Sequence, residues 1–178
     1  MDNFNRILVT GGAGFIGGTL IRKLLTNFNC FIYNIDNLTY ASDPKSITNL
    51  EQSEDRYFHL NVNLKNIEDT REALKEANPD IIFHLAAESH VDRSIMGPKI
   101  FIDSNIVGTF NLLEASRSHW ESCKGSKKRE FKFIHISTDE VFGSLNTNDK
   151  FNENSTYDPR SPYSASKAAS DHLAKAWF

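Results

Sequence analysis

Tyr163 and Lys167 stand four residues apart in the segment SPYSASK, residues 161 to 167. On a helix that spacing puts both side chains on one face, one turn apart. A lysine ammonium beside a phenol favours the phenolate and lowers a pKa that normally lies near 10. Such a phenolate can take the proton of a substrate hydroxyl while hydride leaves the same carbon. Taken alone, the pair reads as an ordinary surface Tyr and Lys on a helix. A second cluster sits in HISTDEVFG, residues 135 to 143. There the apolar run FKFIHIS reads as a buried strand and is followed at once by Ser137, Thr138, Asp139 and Glu140. Charged pairs rarely follow a buried strand without a partner or a task, although a solvated turn or a helix cap is the plain alternative.

A third group changes the weight of the first two. LVTGGAGFIGG supplies Gly11-x-x-Gly14-x-x-Gly17 between an apolar strand and a helical pattern. In that context the glycines allow a tight turn and close approach of a pyrophosphate to the free N–H groups of the helix N-terminus. Gly17 lets the helix pack on the sheet. Asp36 ends the next strand, 19 positions after Gly17, where a carboxylate can accept hydrogen bonds from an adenosine ribose. A 2′-phosphate would be repelled there, and Asn37, Leu38 and Thr39 supply no cation, so NAD is favoured over NADP. With a dinucleotide turn upstream, Tyr163 and Lys167 read as catalytic.

These groups need a frame. Apolar runs at 6–10, 30–36, 56–62, 80–87 and 131–137 read as strands. Helical patterns cover 15–25, 67–77, 99–120 and 161–178, and a loop or short helix follows the second strand. The order predicts an α/β fold, a Rossmann-like doubly wound parallel sheet covered on both faces. The polar segment 144–162 reads as a long loop of the kind that often carries function.

The 178 residues suffice for one domain, and a net charge of −3 gives no nucleic-acid surface. The short basic run KGSKKR (124–129) reads as a solvated loop. Cys30 and Cys123 have neither disulfide-framework nor metal-ligand spacing, and Cys30 reads as a small core residue. No signal-peptide layout and no apolar run of membrane-spanning length is present, so a cytoplasmic protein with no membrane partner and no metal is expected.

TGGAGFIG, Asp36, HLAAESHVDRS, STDEVFG and YSASK together resemble the extended short-chain dehydrogenase/reductase superfamily and, more narrowly, its dTDP-glucose 4,6-dehydratase family. The resemblance covers essentially the whole chain. It implies NAD as cofactor and a nucleotide-sugar substrate. Tyr163 would act on the sugar C4 hydroxyl, supported by Lys167 and with Thr138 bonded near the same oxygen. Glu140 would remove the C5 proton, and Asp139 would protonate the departing C6 hydroxyl. Both acids can face one sugar only if the strand ends by about Thr138 and the backbone then turns, because successive strand residues point to opposite faces. By motif, Phe15 and Ile16 lie at the pyrophosphate turn, with Gly11, Gly14 and Gly17. Asp36, Asn37, Leu38 and Thr39 line the adenosine, and Asn61 and Val62 stand where the family has an Asp-Ile pair. Leu85, Ala86, Ala87, Glu88 and Ser89 run beside the cofactor, Ser89 also touching substrate, and Ser104 faces them from the long helix. Tyr163 and Lys167 complete the cofactor set. His84 and His90 are read as a buried, hydrogen-bonded histidine and its strand-end neighbour, and neither as a catalyst.

Family chains continue past the last helix into a substrate domain. The resemblance therefore implies one incomplete NAD-binding domain over 1–178, truncated before that C-terminal domain, with impaired turnover and an exposed fifth strand. It also implies a homodimer through the helices 99–120 and 161–178. The alternatives are another sugar-nucleotide epimerase, decarboxylase or dehydratase of the superfamily, against which the Asp-Glu pair speaks, and a non-catalytic NAD-binding fragment.

Overall fold

The computed structural model describes residues 4–145 and 149–177. Five parallel strands, β1 (Arg6–Thr10), β2 (Phe31–Ile35), β3 (Tyr57–Leu60), β4 (Ile81–His84) and β5 (Lys132–His135), form one sheet in the order β3-β2-β1-β4-β5. Between them run α1 (Phe15–Asn27), α2 (Pro44–Ser53), α3 (Ile67–Ala77), α4 (Val91–Met96), α5 (Lys99–Phe101), a π-helical segment Ile102–Gly108, α6 (Thr109–Ser122) and α7 (Gly125–Glu130). A 3₁₀ turn, Asp139–Phe142, and the last helix, α8 (Pro162–Trp177), follow β5. By packing, the chain divides into two compact units, residues 4–86 with 111–136, and residues 87–110 with those described from 137 to 177.

In the first unit the strands alternate between two cores. Ile7 and Val9 of β1, Ile32 of β2, and Ile81 and Phe83 of β4 pack with Ile21, Leu24 and Leu25 of α1 and Ile47 of α2. Leu8, Tyr33, Ile35 and Ile82 face the other way, onto Ala73, Leu74 and Ala77 of α3 and Leu112 and Ala115 of α6. Period-2 alternation with both faces apolar is the burial that a covered parallel sheet imposes. Asn66 caps α3 by accepting from the Glu68 and Asp69 N–H groups, and Asn78 closes it in the left-handed conformation with φ 42°. Asp43 caps α2 ahead of Pro44, which settles the loop-or-helix question after β2 in favour of a helix. Cys30 is buried beside this core, as read from the sequence.

Four local readings change. KGSKKR is not a solvated loop: Gly125–Glu130 is a short helix, Lys127 Nζ donates to the Asn78 carbonyl at 2.7 Å and pairs with Asp80 at 3.0 Å, and Lys128 lies 4.3 Å over the Trp120 ring. Tertiary partners for two of its cations outweigh the solvation that composition suggested. The helical pattern 99–120 is not uniform, because Ile102–Gly108 is π-helical. The fourth strand stops at His84, and VDRSIM within the following segment is helical. The third and fifth strands are likewise shorter than their apolar runs. The described part of the segment 144–161 carries no helix or strand; residues 146–148 of the predicted loop, and Phe178 of the predicted last helix, lie outside the described residues. Among the described residues no helix is long and apolar enough to cross a membrane, and no group of three His, Cys, Asp or Glu side chains is placed to hold a metal.

Candidate functional site: a glycine turn and a tyrosine–lysine helix

The first assembly belongs to the sheet unit. β1 ends at Thr10, and Gly11 turns the chain with φ +74° while its N–H donates to the Ile35 carbonyl at 2.9 Å. A Cβ at Gly11 would come within 2.7 Å of the Ala86 nitrogen. One at Gly17 would collide with the Gly11 carbonyl, so the first turn of α1 lies directly on the glycine loop. Gly14 caps α1 without any side-chain bond, and Phe15 and Ile16 behind it are 91% and 65% exposed. The helix thus presents uncapped N–H groups and its positive end beside a bare backbone surface, the arrangement that receives phosphate.

Asp36 holds this loop as well as terminating β2. One carboxylate oxygen accepts from the Ala13 N–H at 2.9 Å, and the other accepts from the Leu38 N–H at 2.9 Å and the Ser42 hydroxyl at 3.2 Å. Two oxygens have about four acceptor sites, so capacity remains for a ribose. Leu38 is held at φ 52° and Asn37 and Thr39 are exposed. Asn34, which sequence reasoning passed over, is buried in β2; it accepts from the Gly12 N–H at 2.9 Å and donates to the Tyr57 hydroxyl at 2.9 Å. Its signal was a polar residue interrupting the apolar run FIYNI. Thr10 accepts from the Ala86 N–H at 3.1 Å and lies 2.7 Å from His84 Nδ1, which fits the reading of His84 as a buried, bonded histidine. Leu85 and Ala86 pack on opposite cores, Val62 is half-buried, and Asn61 is exposed.

The second assembly belongs to the other unit. Tyr163 and Lys167 occupy α8 and are 8% and 5% exposed. Burial lowers the Lys167 pKa to about 8, opposed by the negative charge of Asp171. The phenol departs from expectation: it lies above its ordinary value, not below. Burial is the largest cause, the Thr138 hydrogen bond opposes it, and the negative charges of Glu140, Asp139 and Asp171 add to the rise. The Thr138 hydrogen bond does not outweigh desolvation and three carboxylates, and the spacing to Lys167 alone does not bring the phenol down. Thr138 thus hydrogen-bonds the Tyr163 phenol, and the charges of Asp139 and Glu140 reach it. The strand ends at His135, and Thr138 accepts from the Glu140 N–H at 3.3 Å to start the turn Asp139–Phe142, so the backbone does turn where two adjacent acids need it to. Both acids are exposed, and Val141 between the turn's ends is buried.

Glu88, Ser89, Ala87 and Ser104 lie in this same unit. Glu88 is 6% exposed, with its N–H and carbonyl both bound to the Asn105 side chain at 2.8 and 2.9 Å. Asn105, in the π-helical segment, also donates to Ser166 Oγ at 2.9 Å, next to Lys167. Ser89 and His90 are exposed, and Ser104 is half-buried. Asn105, Ser166 and Asp171 were not anticipated; their contacts span long sequence separations that periodicity does not report.

A parallel sheet in the order 3-2-1-4-5, with a glycine turn after its first strand and an acid after its second, is a Rossmann-like nucleotide-binding fold. The GDP-mannose 4,6 dehydratase family model matches residues 8–178, and the chain belongs to that family. It is 47% identical over 181 residues to dTDP-glucose 4,6-dehydratase 1 of Escherichia coli K12, covering 97% of this chain and 50% of that protein. The dTDP-glucose 4,6-dehydratase of Streptomyces venezuelae, solved with NAD bound, superposes with TM-score 0.84 at 36% identity, covering 97% and 51%. The UDP-glucose 4-epimerase of Thermus thermophilus, solved with NAD, gives TM-score 0.82 at 29% identity, covering 97% and 50%. The chain spans about half the length of the curated relatives it matches.

Proposed function

We propose that the chain carries the NAD-binding and acid–base residues of an NAD-dependent dTDP-glucose 4,6-dehydratase. The observation that carries this reading is the turn Asp139–Phe142, whose two acids and capping Thr138 all act on the buried Tyr163. An Asp-Glu pair at that place suits elimination; the related epimerases resembled by the rest of the sequence need no such pair. The glycine turn fits a dinucleotide because the space that side chains at Gly11 and Gly17 would fill is backbone surface beside an uncapped helix end. Asp36 and the Gly11–Gly17 turn would hold the adenosine and pyrophosphate. NAD, when bound, would supply reversible hydride chemistry for oxidation at C4 and reduction at C6.

Tyr163 takes the proton of the C4 hydroxyl, hydrogen-bonded through Thr138. Positive charge near the phenol is needed to bring it to the phenolate at neutral pH, and Lys167, mostly protonated below its pKa of about 8, carries that charge. The C4 ketone acidifies C5–H, which Glu140 removes. Asp139 donates its proton to the departing C6 hydroxyl, and water leaves across C5–C6. A proton then returns to C5, so the sum is dehydration. Ser89 and Ser104 border this set in the same reading.

A homodimer belongs to the proposal. Val107 and Phe110 are exposed, and Phe110 meets Trp177 of α8 edge-on at 5.9 Å, an apolar patch that suits a second copy. Incubation with NAD and dTDP-glucose should yield the 4-keto-6-deoxy sugar, seen by its absorbance in alkali. NAD binding without product would favour the non-catalytic reading, and product epimerised at C4 without loss of water would favour an epimerase.

A further inference from the structure

The Tyr163–Lys167 face of α8 continues one turn further, to Asp171. At positions i, i+4 and i+8 the three side chains share one helix face. One carboxylate oxygen of Asp171 accepts two hydroxyls, Ser137 Oγ at 2.5 Å and the Tyr157 phenol at 3.0 Å. Ser137 directly precedes Thr138, the cap of the acid-bearing turn. Tyr157 lies in the segment leading to α8, with its ring 5.4 Å from Phe142, the last residue of that turn. Asp171 therefore reaches the turn from both ends.

The turn is tied from outside at its middle, where the Val141 carbonyl accepts the Asp158 N–H at 2.9 Å, and Asp171 adds a tie near each end. The bonds at the ends of the turn are long: Glu140 N–H to Thr138 Oγ1 at 3.3 Å, Val141 N–H to the Thr138 carbonyl at 3.5 Å, and Gly143 N–H to the Glu140 carbonyl at 3.3 Å. A single 3₁₀ turn with long bonds at its ends gains orientation from added ties there. A hydroxyl bonded to an ionised carboxylate is roughly twice as strong as a neutral pair. We propose that Asp171 is a positioning residue, whose carboxylate, through Ser137 and Tyr157, fixes the Asp139–Glu140 turn against the Tyr163–Lys167 helix. This assignment rests on the proposed roles of those four residues.

Asp171 has a second, electrostatic contact with the site. Elements packed against α8 carry Asp92, Arg93, Lys99, Asp103, Asp139 and Glu140. The charge of Asp171 acts on the Lys167 ammonium and opposes the effect of burial.

Two measurements on the 178-residue chain test the proposal without needing turnover. Backbone hydrogen exchange at residues 139–143 should speed up about tenfold in Ser137→Ala and Asp171→Asn, with a smaller gain in Tyr157→Phe. Lysine-labelled NMR should place the Lys167 midpoint lower in Asp171→Asn, and at its native value in Ser137→Ala and Tyr157→Phe. A change of the midpoint with native exchange at 139–143 would overturn the proposal, as would native values of both. Should Asp171→Asn fail to fold, exchange in Ser137→Ala and Tyr157→Phe decides the matter. Failure of the native chain to make product would count against the proposed function and leave these two measurements intact.

Discussion

Replacing Lys167 by Met should make the folded chain more stable while abolishing the proposed chemistry. Lys167 is 5% exposed, and its pKa falls from 10.5 to about 8 because burial penalises the ammonium more than Asp171 supports it. A fall of about 2.5 pH units at about 1.4 kcal/mol each makes the buried charge cost about 3 kcal/mol at pH 7. Met keeps an apolar stem of similar length and removes the charge. The sign with pH follows from linkage. Between about pH 8 and pH 10.5 the unfolded chain still binds the proton that the folded chain has released, so native stability rises across that window. The Lys167→Met variant lacks this proton. Its advantage over the native chain should therefore be about 3 kcal/mol at pH 7 and under about 1 kcal/mol at pH 10. Urea denaturation of both proteins at the two pH values, without cofactor, gives the difference directly. An advantage that does not change with pH, or a Met variant less stable than the native chain at pH 7, would refute the reasoning.

Other outcomes follow from the same structure. Gly11→Ala forces a side chain into the left-handed region and within 2.7 Å of the Ala86 nitrogen, so it should cost about 2–4 kcal/mol in chemical denaturation and weaken NAD binding by calorimetry. The double change Asp139→Asn with Glu140→Gln should leave C4 oxidation within about tenfold of native while slowing release of water by about a hundredfold or more, read by single-turnover product analysis. His119 has its pKa lowered, first by burial, while its ring bonds to the Pro79 carbonyl at 2.9 Å. Below its ordinary pKa the unfolded chain binds a proton that the folded chain resists, so stability should fall as pH drops through about 6.5, and His119→Gln should flatten that part of the profile.

Much of the molecule was written locally. The glycine turn, Asp36 after the second strand, and the four-residue step from Tyr163 to Lys167 depend on nearest-neighbour geometry and helical period, which a sequence displays. The alternating cores also follow from composition, because Ile7, Leu8 and Val9 have to face both layers in turn. The turn after β5 was required by two adjacent acids and is present. What the sequence could not state was the balance of long-range terms. The Tyr163 phenol lies high because burial and three carboxylates, two of them more than twenty residues away in the chain, outweigh the Thr138 hydrogen bond. Asp171 meets Ser137 across 34 residues and Tyr157 across 14, and Asn105 joins Glu88 to Ser166 across 17 and 61. Local patterning set which residues could do chemistry; desolvation and partners brought together by folding set their charge and their orientation, since both depend on distances that only the tertiary structure defines.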